Sequence, residues 1–335
     1  MSLRDSQDPQ IAIIGAGAWG TALAQMLAAD GTPVVLWARE PNLAAAINAR
    51  HRNELYLPSA TLSALIVATS ELAEATACAI ALLVPPAQHL ADIMQAMPGH
   101  PHDLVLCAKG IEAGTGRLMH EVAASLAPGS DIAVLSGPTF AHEVAAGLPT
   151  AATLACGGGE AQWQRLSRAI ARPTFRPYYS DDLVGAEIGG AVKNVLAIAC
   201  GVVEGLGLGL NARSALIARG YAEMLRFGEA LGAKAATLAG LCGLGDLVLT
   251  CSSTASRNFS LGKALGEGQA PRELMRDRRT VAEGAYTAPV LCDLAARHDV
   301  AMPIVSAVNR LLSGAPAREV ATDLLARPLA AEAKA

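Results

Sequence analysis

The stretch at residues 11–20, IAIIGAGAWG, constrains the fold of this chain more than any other part of the sequence. Four apolar residues are typical of a buried strand, three glycines follow in the spacing G-x-G-x-x-G, and an Ala/Leu-rich segment then predicts a helix. Gly15 permits a tight turn, Gly17 lets backbone N–H groups approach a pyrophosphate, and Gly20 lets the helix lie close to the strand. We therefore predict that a dinucleotide binds at the N-terminus of this helix.

Short apolar runs alternate with helical segments through the first half of the chain. This alternation predicts an α/β, Rossmann-type domain with a doubly wound parallel sheet. The strands are predicted at residues 11–14, 33–37, 65–68, 79–84, 104–107, 132–135, 151–156 and 174–179.

The texture of the sequence changes at Asp182, which with Ser180 suits the N-cap of a helix. Long Ala/Leu/Gly-rich patterns follow and predict helices. A chain of 335 residues also exceeds what one hydrophobic core usually serves. We predict two domains, a dinucleotide-binding Rossmann domain at 1–182 and an all-α substrate and catalytic domain at 183–335.

Composition excludes several classes of protein. A hydrophobic fraction of 52% is incompatible with a largely disordered chain, and a net charge of −4 with a pI near 6.0 leaves no basic surface for nucleic acid. Seven cysteines without a C-x-x-C pair indicate reduced thiols, and the histidines lack the spacing of metal ligands. The N-terminus lacks the apolar core of a signal peptide, and no apolar run is long enough to span a bilayer.

We therefore expect a cytoplasmic protein with no metal, no nucleic-acid partner and no membrane span. We also expect a homodimer, although the apolar Gly/Ala-rich helices suit a subunit contact and a core equally well.

The end of the second predicted strand bears on the choice of cofactor. In Rossmann domains an acidic residue there accepts hydrogen bonds from the ribose 2′-OH of NAD, whereas here the strand leads to Arg39. A guanidinium pairs with a 2′-phosphate, so we expect NADPH to be used at least as well as NADH. Two alternatives stay open: Glu40 serves the ribose hydroxyl, or Arg39 is an ordinary exposed arginine.

Lys193 and Asn194 interrupt an apolar helical segment at residues 185–200. Burial there would disfavour the ammonium form and lower the pKa of Lys193 toward the range useful for proton transfer. The alternative is a lysine whose stem packs while its head reaches solvent. A further basic candidate, Lys109, lies just beyond the carboxyl end of a predicted strand, where ligands bind in open α/β sheets.

Two other segments carry polar residues at helical spacing. Asp246 and Thr250 are four residues apart and share a helical face after a glycine-rich turn, with a plain first-turn acid as the alternative for Asp246. Ser256 is a candidate N-cap that would place Arg257 and Asn258 at a helix start. A guanidinium, an amide and helix N–H groups can hold a phosphate dianion, and a capped surface helix is the alternative.

Eight blocks of the sequence match one family, in order over nearly the whole chain. They are GAGAWGT at 15–21, AKGIE at 108–112, SGPTFA at 136–141, AVKNV at 191–195, NARSALI at 211–217, GLGD at 243–246, SRN at 256–258 and VAEG at 281–284. Together they resemble the bacterial NAD(P)-dependent glycerol-3-phosphate dehydrogenases. The resemblance implies a reversible hydride transfer in which NADPH or NADH reduces dihydroxyacetone phosphate to sn-glycerol 3-phosphate. It also implies that this product supplies phospholipid synthesis.

The resemblance also implies a role for each matching residue. Lys193 is the proton donor and acceptor, and Asp246 supports it as the second catalytic residue. The implied substrate site comprises Lys109, Gly137, Thr139, Lys193, Asn194, Asp246, Thr250, Ser256, Arg257 and Asn258. The implied cofactor site comprises Gly15, Gly17, Ala18, Trp19, Gly20, Arg39, Lys109, Ala141, Arg257, Val281 and Glu283.

Three positions depart from the family pattern. Ala18 stands where serine is common, His142 where lysine or glutamate is common, and Pro86-Ala-Gln88 replaces a serine-rich turn. None of them removes an expected catalytic group. Two other functions stay open: a two-domain dehydrogenase acting on a β-hydroxyacid or sugar acid, and a regulator that binds NADPH without turnover.

Overall fold

The computed structural model describes residues 11–276 and 282–329. The described residues divide into two compact units: one holds residues 11–108 together with Leu118–Leu183, and the other holds Lys109–Arg117 together with residues 184–276 and 282–329. The domain boundary predicted at residue 182 stays a prediction. Lys109–Arg117 packs with the second unit.

The first unit is built on an eight-stranded sheet in the order β3-β2-β1-β4-β5-β6-β7-β8. Every predicted strand is present close to its predicted position. The strands are β1 (Ile11–Ile14), β2 (Val34–Trp37), β3 (Ile66–Thr69), β4 (Ile80–Leu83), β5 (Asp103–Leu106), β6 (Asp131–Ser136), β7 (Thr150–Cys156) and β8 (Phe175–Ser180). The helices are α1 (Ala18–Ala28), α2 (Pro41–Arg50), α3 (Leu72–Thr76), α4 (Leu90–Ala96), α5 (Met119–Leu126), α6 (Ala141–Ala145) and α7 (Gly159–Ile170), with a 3₁₀ turn at Ala87–His89.

The central strands β1, β2, β4 and β5 are buried at every residue. Strands covered by helices on both faces are apolar throughout, which is why they read as continuous apolar runs. The α/β character predicted from those runs is confirmed.

The predicted doubly wound parallel sheet is confirmed as mostly parallel, with one antiparallel pair of strands. β6 and β7 run antiparallel, with Ser136 opposite Thr153, while the other neighbouring strands pair in parallel. For β7 to run parallel to β6, the connection would have to cross back to the end of the sheet where β6 begins. The connection between β6 and β7 instead holds only the short helix α6, which packs on α1, so β7 starts near the edge where β6 ends.

The second unit is α-helical, as predicted, and α8 (Leu183–Gly205) is its core. By length and apolar composition α8 could cross a membrane, but its most apolar stretch is fully buried inside the protein. A π-helical turn at Leu241–Gly245 precedes the helix that begins at Asp246. The remaining helices are α9 (Gly209–Ala230), α10 (Ala235–Leu238), α11 (Asp246–Cys251), α12 (Arg257–Gly266), α13 (Pro271–Leu274), α14 (Glu283–Arg297), α15 (Pro303–Leu312) and α16 (Ala317–Leu325).

Glycines bring α12 into backbone contact with α8. A Cβ on Gly201 would lie 2.0 Å from a carbonyl oxygen of α12, and a Cβ on Gly262 would lie 1.9 Å from a carbonyl oxygen of α8. The contact recurs one turn further on, at Gly205 and Gly266. Any side chain at these positions would push the two helices apart, so the glycines fix where the start of α12 lies beside α8.

Candidate active site

The glycine turn after β1 has the shape of a phosphate site. Gly15 has a φ of 122°, which favours glycine, and a Cβ on Gly20 would lie 1.9 Å from the carbonyl oxygen of Gly15. Within the described residues, no atom lies within 4 Å of a Cβ built on Gly17, and no side chain caps the N-terminus of α1. Uncapped helix N–H groups beside open space fit a pyrophosphate.

Asn53 supports this turn, a role that the sequence did not reveal. Its buried side chain donates from Nδ2 to the carbonyl oxygen of Ala16 at 2.9 Å and to the hydroxyl of Thr21 at 2.8 Å. Thr21 in turn donates to the Ala16 carbonyl at 3.3 Å. These side-chain hydrogen bonds therefore hold the turn in shape.

Ala18 and Trp19 begin α1 directly after the turn. The indole N–H of Trp19 is buried and has no hydrogen-bond partner among residues 11–276 and 282–329. Buried donors normally have partners, and an acceptor atom of a bound nucleotide would supply one. Ala18 offers only a methyl group where a serine hydroxyl could contribute a further hydrogen bond.

Arg39 and Glu40 follow β2 and bind each other. Nη2 of Arg39 lies 2.8 Å from Oε1 of Glu40, and Nε donates to the same oxygen at 3.1 Å. The side chain of Arg39 is 75% exposed. Arg39, the candidate for the 2′-phosphate, and Glu40, the candidate for the ribose hydroxyl, thus form an ion pair with each other at the surface. The expected use of NADPH at least as well as NADH stays a prediction.

The other predicted residues of the first unit follow β6. A Cβ on Gly137 would lie 2.8 Å from the Cα of Ala152, so strand packing requires glycine here. Thr139 donates its hydroxyl to the Gly137 carbonyl at 3.2 Å, Ala141 begins α6, and His142 is exposed. Their contacts with substrate and cofactor stay predictions.

In the second unit, Asp246 joins two lysines at the start of α11. Its Oδ1 accepts a hydrogen bond from Nζ of Lys193 at 2.6 Å, and its Oδ2 accepts one from Nζ of Lys109 at 2.7 Å. Thr250 donates to Oδ1 of Asp246 at 3.2 Å and accepts from Lys193 at 3.0 Å. The predicted common face of Asp246 and Thr250 is confirmed, and four predicted site residues form one hydrogen-bonded cluster.

Asp246 and Lys193 are buried, and Lys109 is partly buried. The side chains of Asp246, Lys193 and Lys109 are 1%, 8% and 15% exposed. The alternative in which the head of Lys193 reaches solvent is therefore wrong. A carboxylate between two ammonium groups compensates part of the cost of burying these charges.

Burial and charge separate the two lysines in pKa. Burial lowers the pKa of Lys193 to about 8; Asp246 opposes this change, and the charge of Lys109 adds to it. Burial also acts to lower the pKa of Lys109, but the charge and hydrogen bond of Asp246 outweigh it and raise that pKa. Burial would raise the pKa of Asp246, yet the two ammonium groups hold it below its usual value. Lys193 is therefore the lysine able to exchange a proton at mildly alkaline pH.

The start of α12 carries a second polar group. The hydroxyl of Ser256 accepts from the backbone N–H of Phe259 at 3.2 Å, so the predicted N-cap is confirmed. Asn258 donates from Nδ2 to Oδ1 of Asn194 at 3.0 Å, and its Oδ1 accepts from the backbone N–H of Gly284 at 2.9 Å. The structure thus brings together Asn194 and Asn258, which lie far apart in sequence.

Arg257 and Glu283 add charge to this unit at the first residues of α12 and α14. Burial raises the pKa of Glu283, and the positive charges of Arg257, Lys109 and Lys193 oppose that rise. The charges of Arg257, Lys109 and Lys193 therefore all act on the pKa of Glu283. Perturbed pKa values are common at functional sites. Val281, predicted to contact the cofactor, lies outside the described residues.

Comparison with known proteins identifies the family. The model of the NAD-dependent glycerol-3-phosphate dehydrogenase N-terminus matches residues 10–162, and the model of the C-terminus matches residues 182–322. The chain belongs to the NAD-dependent glycerol-3-phosphate dehydrogenase family. The resemblance inferred from the sequence blocks is confirmed.

Individual members of the glycerol-3-phosphate dehydrogenase family align with almost the whole chain. The NAD(P)+ glycerol-3-phosphate dehydrogenase of Erythrobacter litoralis is 69% identical over 323 residues, covering 96% of this chain and 98% of the relative. That of Novosphingobium aromaticivorans is 67% identical over 324 residues, with the same coverage of both chains. A crystal structure of the Coxiella burnetii enzyme is 39% identical, with a TM-score of 0.89 over 95% of this chain and 98% of that chain.

Some residues that shape this glycerol-3-phosphate dehydrogenase site were not predicted. They are the packing glycines of α8 and α12 and the backbone N–H of Gly284. The G-x-x-x-G spacing at 201–205 and 262–266 was an available signal for close helix packing. No comparable sequence pattern marks the backbone N–H of Gly284 as a hydrogen-bond donor to a side chain.

Proposed function

We propose that the chain catalyses the reversible reduction of dihydroxyacetone phosphate to sn-glycerol 3-phosphate with NADPH or NADH. The observation that carries this proposal is the buried Lys193 ammonium, hydrogen-bonded to Asp246 and with a pKa lowered to about 8. Membership of the glycerol-3-phosphate dehydrogenase family supports the substrate pair and the cofactor class.

Reduction of a ketone needs a proton at the oxygen as well as a hydride at the carbon. The bound nicotinamide supplies the hydride. Lys193 donates the proton from Nζ to the C2 oxygen of the substrate, and takes it back in the reverse direction. A lysine with a pKa near 8 gives up its proton more readily than an ordinary lysine, yet is still largely protonated at neutral pH.

Asp246 and Lys109 prepare Lys193 for this role. Asp246 fixes the position of Nζ through a short hydrogen bond and partly balances its charge. Lys109 keeps its own proton because its pKa is raised, so it acts as a permanent positive charge that polarises the substrate and keeps the pKa of Lys193 low. Thr250 holds Lys193 from a second direction.

We assign the substrate phosphate to the start of α12. Arg257 supplies a guanidinium, Asn258 and Asn194 supply amide N–H groups, and the helix start adds its dipole. Ser256, Gly137 and Thr139 are assigned to the same substrate on the family resemblance alone.

We assign the cofactor to the first unit, where the open turn at Gly17 and the unpartnered indole N–H of Trp19 support the binding of a dinucleotide. Arg39 is assigned to the 2′-phosphate of NADPH. Ala18, Ala141, Lys109, Arg257, Val281 and Glu283 complete the proposed cofactor contacts on the family resemblance.

The wider context is also proposed. A cytoplasmic homodimer whose product enters phospholipid synthesis fits the composition and the family. Size-exclusion chromatography with light scattering tests the dimer directly.

An assay that follows nicotinamide absorbance tests the proposed function. Purified protein is mixed with NADPH and dihydroxyacetone phosphate, and in parallel with NADPH and a β-keto acid of similar size. Turnover only with the phosphorylated ketone is expected. Turnover only with the keto acid would assign a different dehydrogenase, and NADPH binding without turnover of either would assign a regulator.

Removal of the phosphate contact tests the assigned orientation of the substrate. Arg257→Ala should chiefly raise the KM for dihydroxyacetone phosphate, because a charge-assisted contact is lost. An unchanged KM in this variant would exclude Arg257 from the phosphate site.

A further inference from the structure

Gly284 lies where no side chain fits. It is the second residue of α14, and a Cβ there would lie 2.5 Å from the carbonyl oxygen of Asn194 and 2.9 Å from Oδ1 of Asn258. Its φ is outside the left-handed region, so the close contact requires glycine and the backbone conformation does not. This contact places a backbone N–H of α14 within reach of a side chain of α12.

That N–H belongs to the first turn of a helix, where backbone donors have no partner within the helix. Ala282 occupies the N-cap position of α14 and has no side-chain oxygen to accept a hydrogen bond. Asn258 performs this role from another helix, since its Oδ1 accepts from the Gly284 N–H at 2.9 Å.

This single donor fixes the direction of two side-chain amides. A backbone N–H can only donate, so the oxygen end of Asn258 faces Gly284 and the nitrogen end faces Asn194. Asn194 accepts that hydrogen bond through Oδ1 at 3.0 Å, which leaves its Nδ2 as a donor. A reversed Asn258 would set donor against donor at Gly284 and acceptor against acceptor at Asn194.

We propose that Gly284 is a positioning residue for the substrate phosphate: its backbone N–H turns Asn258, and through it Asn194, so that both amides offer N–H donors to the phosphate oxygens. The inference rests on the proposed function, because it takes a phosphorylated ketone as the substrate. A phosphate dianion has only acceptor oxygens. An amide turned around would present its own oxygen and replace an attraction by a repulsion.

A pair of substitutions at residue 284 separates the N–H from the packing. Gly284→Ala and Gly284→Pro both add a Cβ at the crowded point, but only proline removes the N–H, and proline is tolerated in the first turn of a helix. We expect the KM for dihydroxyacetone phosphate to be about tenfold higher in the proline variant than in the alanine variant. The kcat should change less, because Lys193 and Asp246 are untouched.

A protein with an ester at this position provides the same test without added atoms. Incorporation of glycolic acid at residue 284 replaces the N–H by an oxygen and leaves the rest of the chain unchanged. Its KM for dihydroxyacetone phosphate should exceed that of the unmodified protein by a similar factor. This comparison decides the matter if Gly284→Pro does not fold.

The pH dependence of KM distinguishes orientation from mere stability. The second pKa of a phosphate monoester is about 6, and below it the monoanion carries a P–OH donor that a reversed amide oxygen can accept. The excess KM of the proline and ester proteins should therefore shrink below about pH 6. Gly220→Ala is the matched control, since the three atoms nearest to its Cβ would all belong to the apolar side chain of Leu196 in α8, the closest at 2.8 Å.

The control should lose stability while keeping the KM and the pH profile of the unmodified protein. Equal KM values for the alanine and proline variants, or for the ester and unmodified proteins, would overturn the inference. Failure of the unmodified protein to reduce dihydroxyacetone phosphate would instead overturn the proposed function, and the inference with it.

Discussion

Two regions of this chain use glycine for opposite purposes. In the nucleotide turn, residues 15–20, the space beside Gly17 is open to 4 Å within the described residues. In the helix contact, formed by glycines 201, 205, 262 and 266, a backbone carbonyl oxygen already lies 1.9 Å from where a Cβ on Gly262 would be. The first region leaves room for a ligand, whereas the second removes room between helices. A glycine motif therefore indicates a binding site only where the space beside it is open.

The largest expected effect is a loss of turnover when Lys193, in the second unit, is replaced. NADPH binding, which we assign to the first unit, should not change with it. Lys193→Met removes the proton donor while keeping much of the side-chain volume, so kcat should fall by about 10²- to 10⁴-fold. The dissociation constant for NADPH, measured by fluorescence, should stay nearly the same. Lys263→Met, at an exposed lysine of the same unit, is the control and should keep full activity. A Lys193→Met variant with near-normal kcat would remove Lys193 from the mechanism.

The pH profile probes the same lysine. Ketone reduction needs protonated Lys193, so kcat/KM should be level between about pH 7 and 8, where the substrate phosphate is a dianion, and then fall by about tenfold per pH unit, while alcohol oxidation should rise through the same value. Lys109→Met should move the break to higher pH, because the charge of Lys109 helps to lower the pKa of Lys193. Asp246→Asn should move it to lower pH. A break that stays in place in both variants would assign the titration to another group.

The nucleotide turn should lose binding without losing stability. Gly17→Ala puts a methyl group into space that is otherwise open, so the free energy of unfolding should change little, while the dissociation constant for NADPH should rise by about tenfold, or about 1.4 kcal/mol. Gly129→Ala also fills open space in the same unit, away from the turn, and should alter neither quantity. Equal NADPH affinity in both variants would mean that the pyrophosphate does not approach Gly17.

The helix contact should show the reverse behaviour. Gly262→Ala forces α12 away from α8 and should lower the free energy of unfolding by about 1–3 kcal/mol in urea titrations, with a smaller change in NADPH affinity than Gly17→Ala causes. Lys263→Ala, at the next residue of α12, whose side chain is 42% exposed, controls for helix propensity and should stay within about 0.5 kcal/mol of the original protein. Wild-type stability of Gly262→Ala would show that the two helices separate without cost, and the contrast between the regions would then be lost.

The difference between these regions also explains what the sequence could predict. The central strands β1, β2, β4 and β5 were predictable because parallel strands that are buried on both faces are apolar at every position. The direction of β7 was not, because an apolar run carries no information about which edge of the sheet it starts from. The apolar neighbours of Lys193 on one helix indicated its burial, but a lysine whose head reaches solvent stayed an open alternative until the structure showed the side chain 8% exposed.

The partners of Lys193 were harder to predict. The i, i+4 spacing marked Asp246 and Thr250, but the hydrogen bond from Lys109 to Asp246 joins residues 137 positions apart, and no local pattern encodes it. Only the family resemblance named Lys109 together with Asp246. Asn53 and Gly284 act through one side-chain amide and one backbone N–H, whose contacts depend on the complete fold.

The smallest expected effect concerns the edge of the nucleotide site. Arg39 is exposed and already paired with Glu40, so solvent and that ion pair weaken any contact with a 2′-phosphate. Arg39→Ala should raise the KM for NADPH by about threefold to tenfold and leave the KM for NADH unchanged. Glu40→Gln, which releases Arg39, should lower the KM for NADPH if Arg39 binds the phosphate, and should raise the KM for NADH if Glu40 accepts the ribose hydroxyl. An Arg39→Ala variant with an unchanged KM for NADPH would reduce Arg39 to a surface residue, and the nucleotide turn would then bind both cofactors through the pyrophosphate alone.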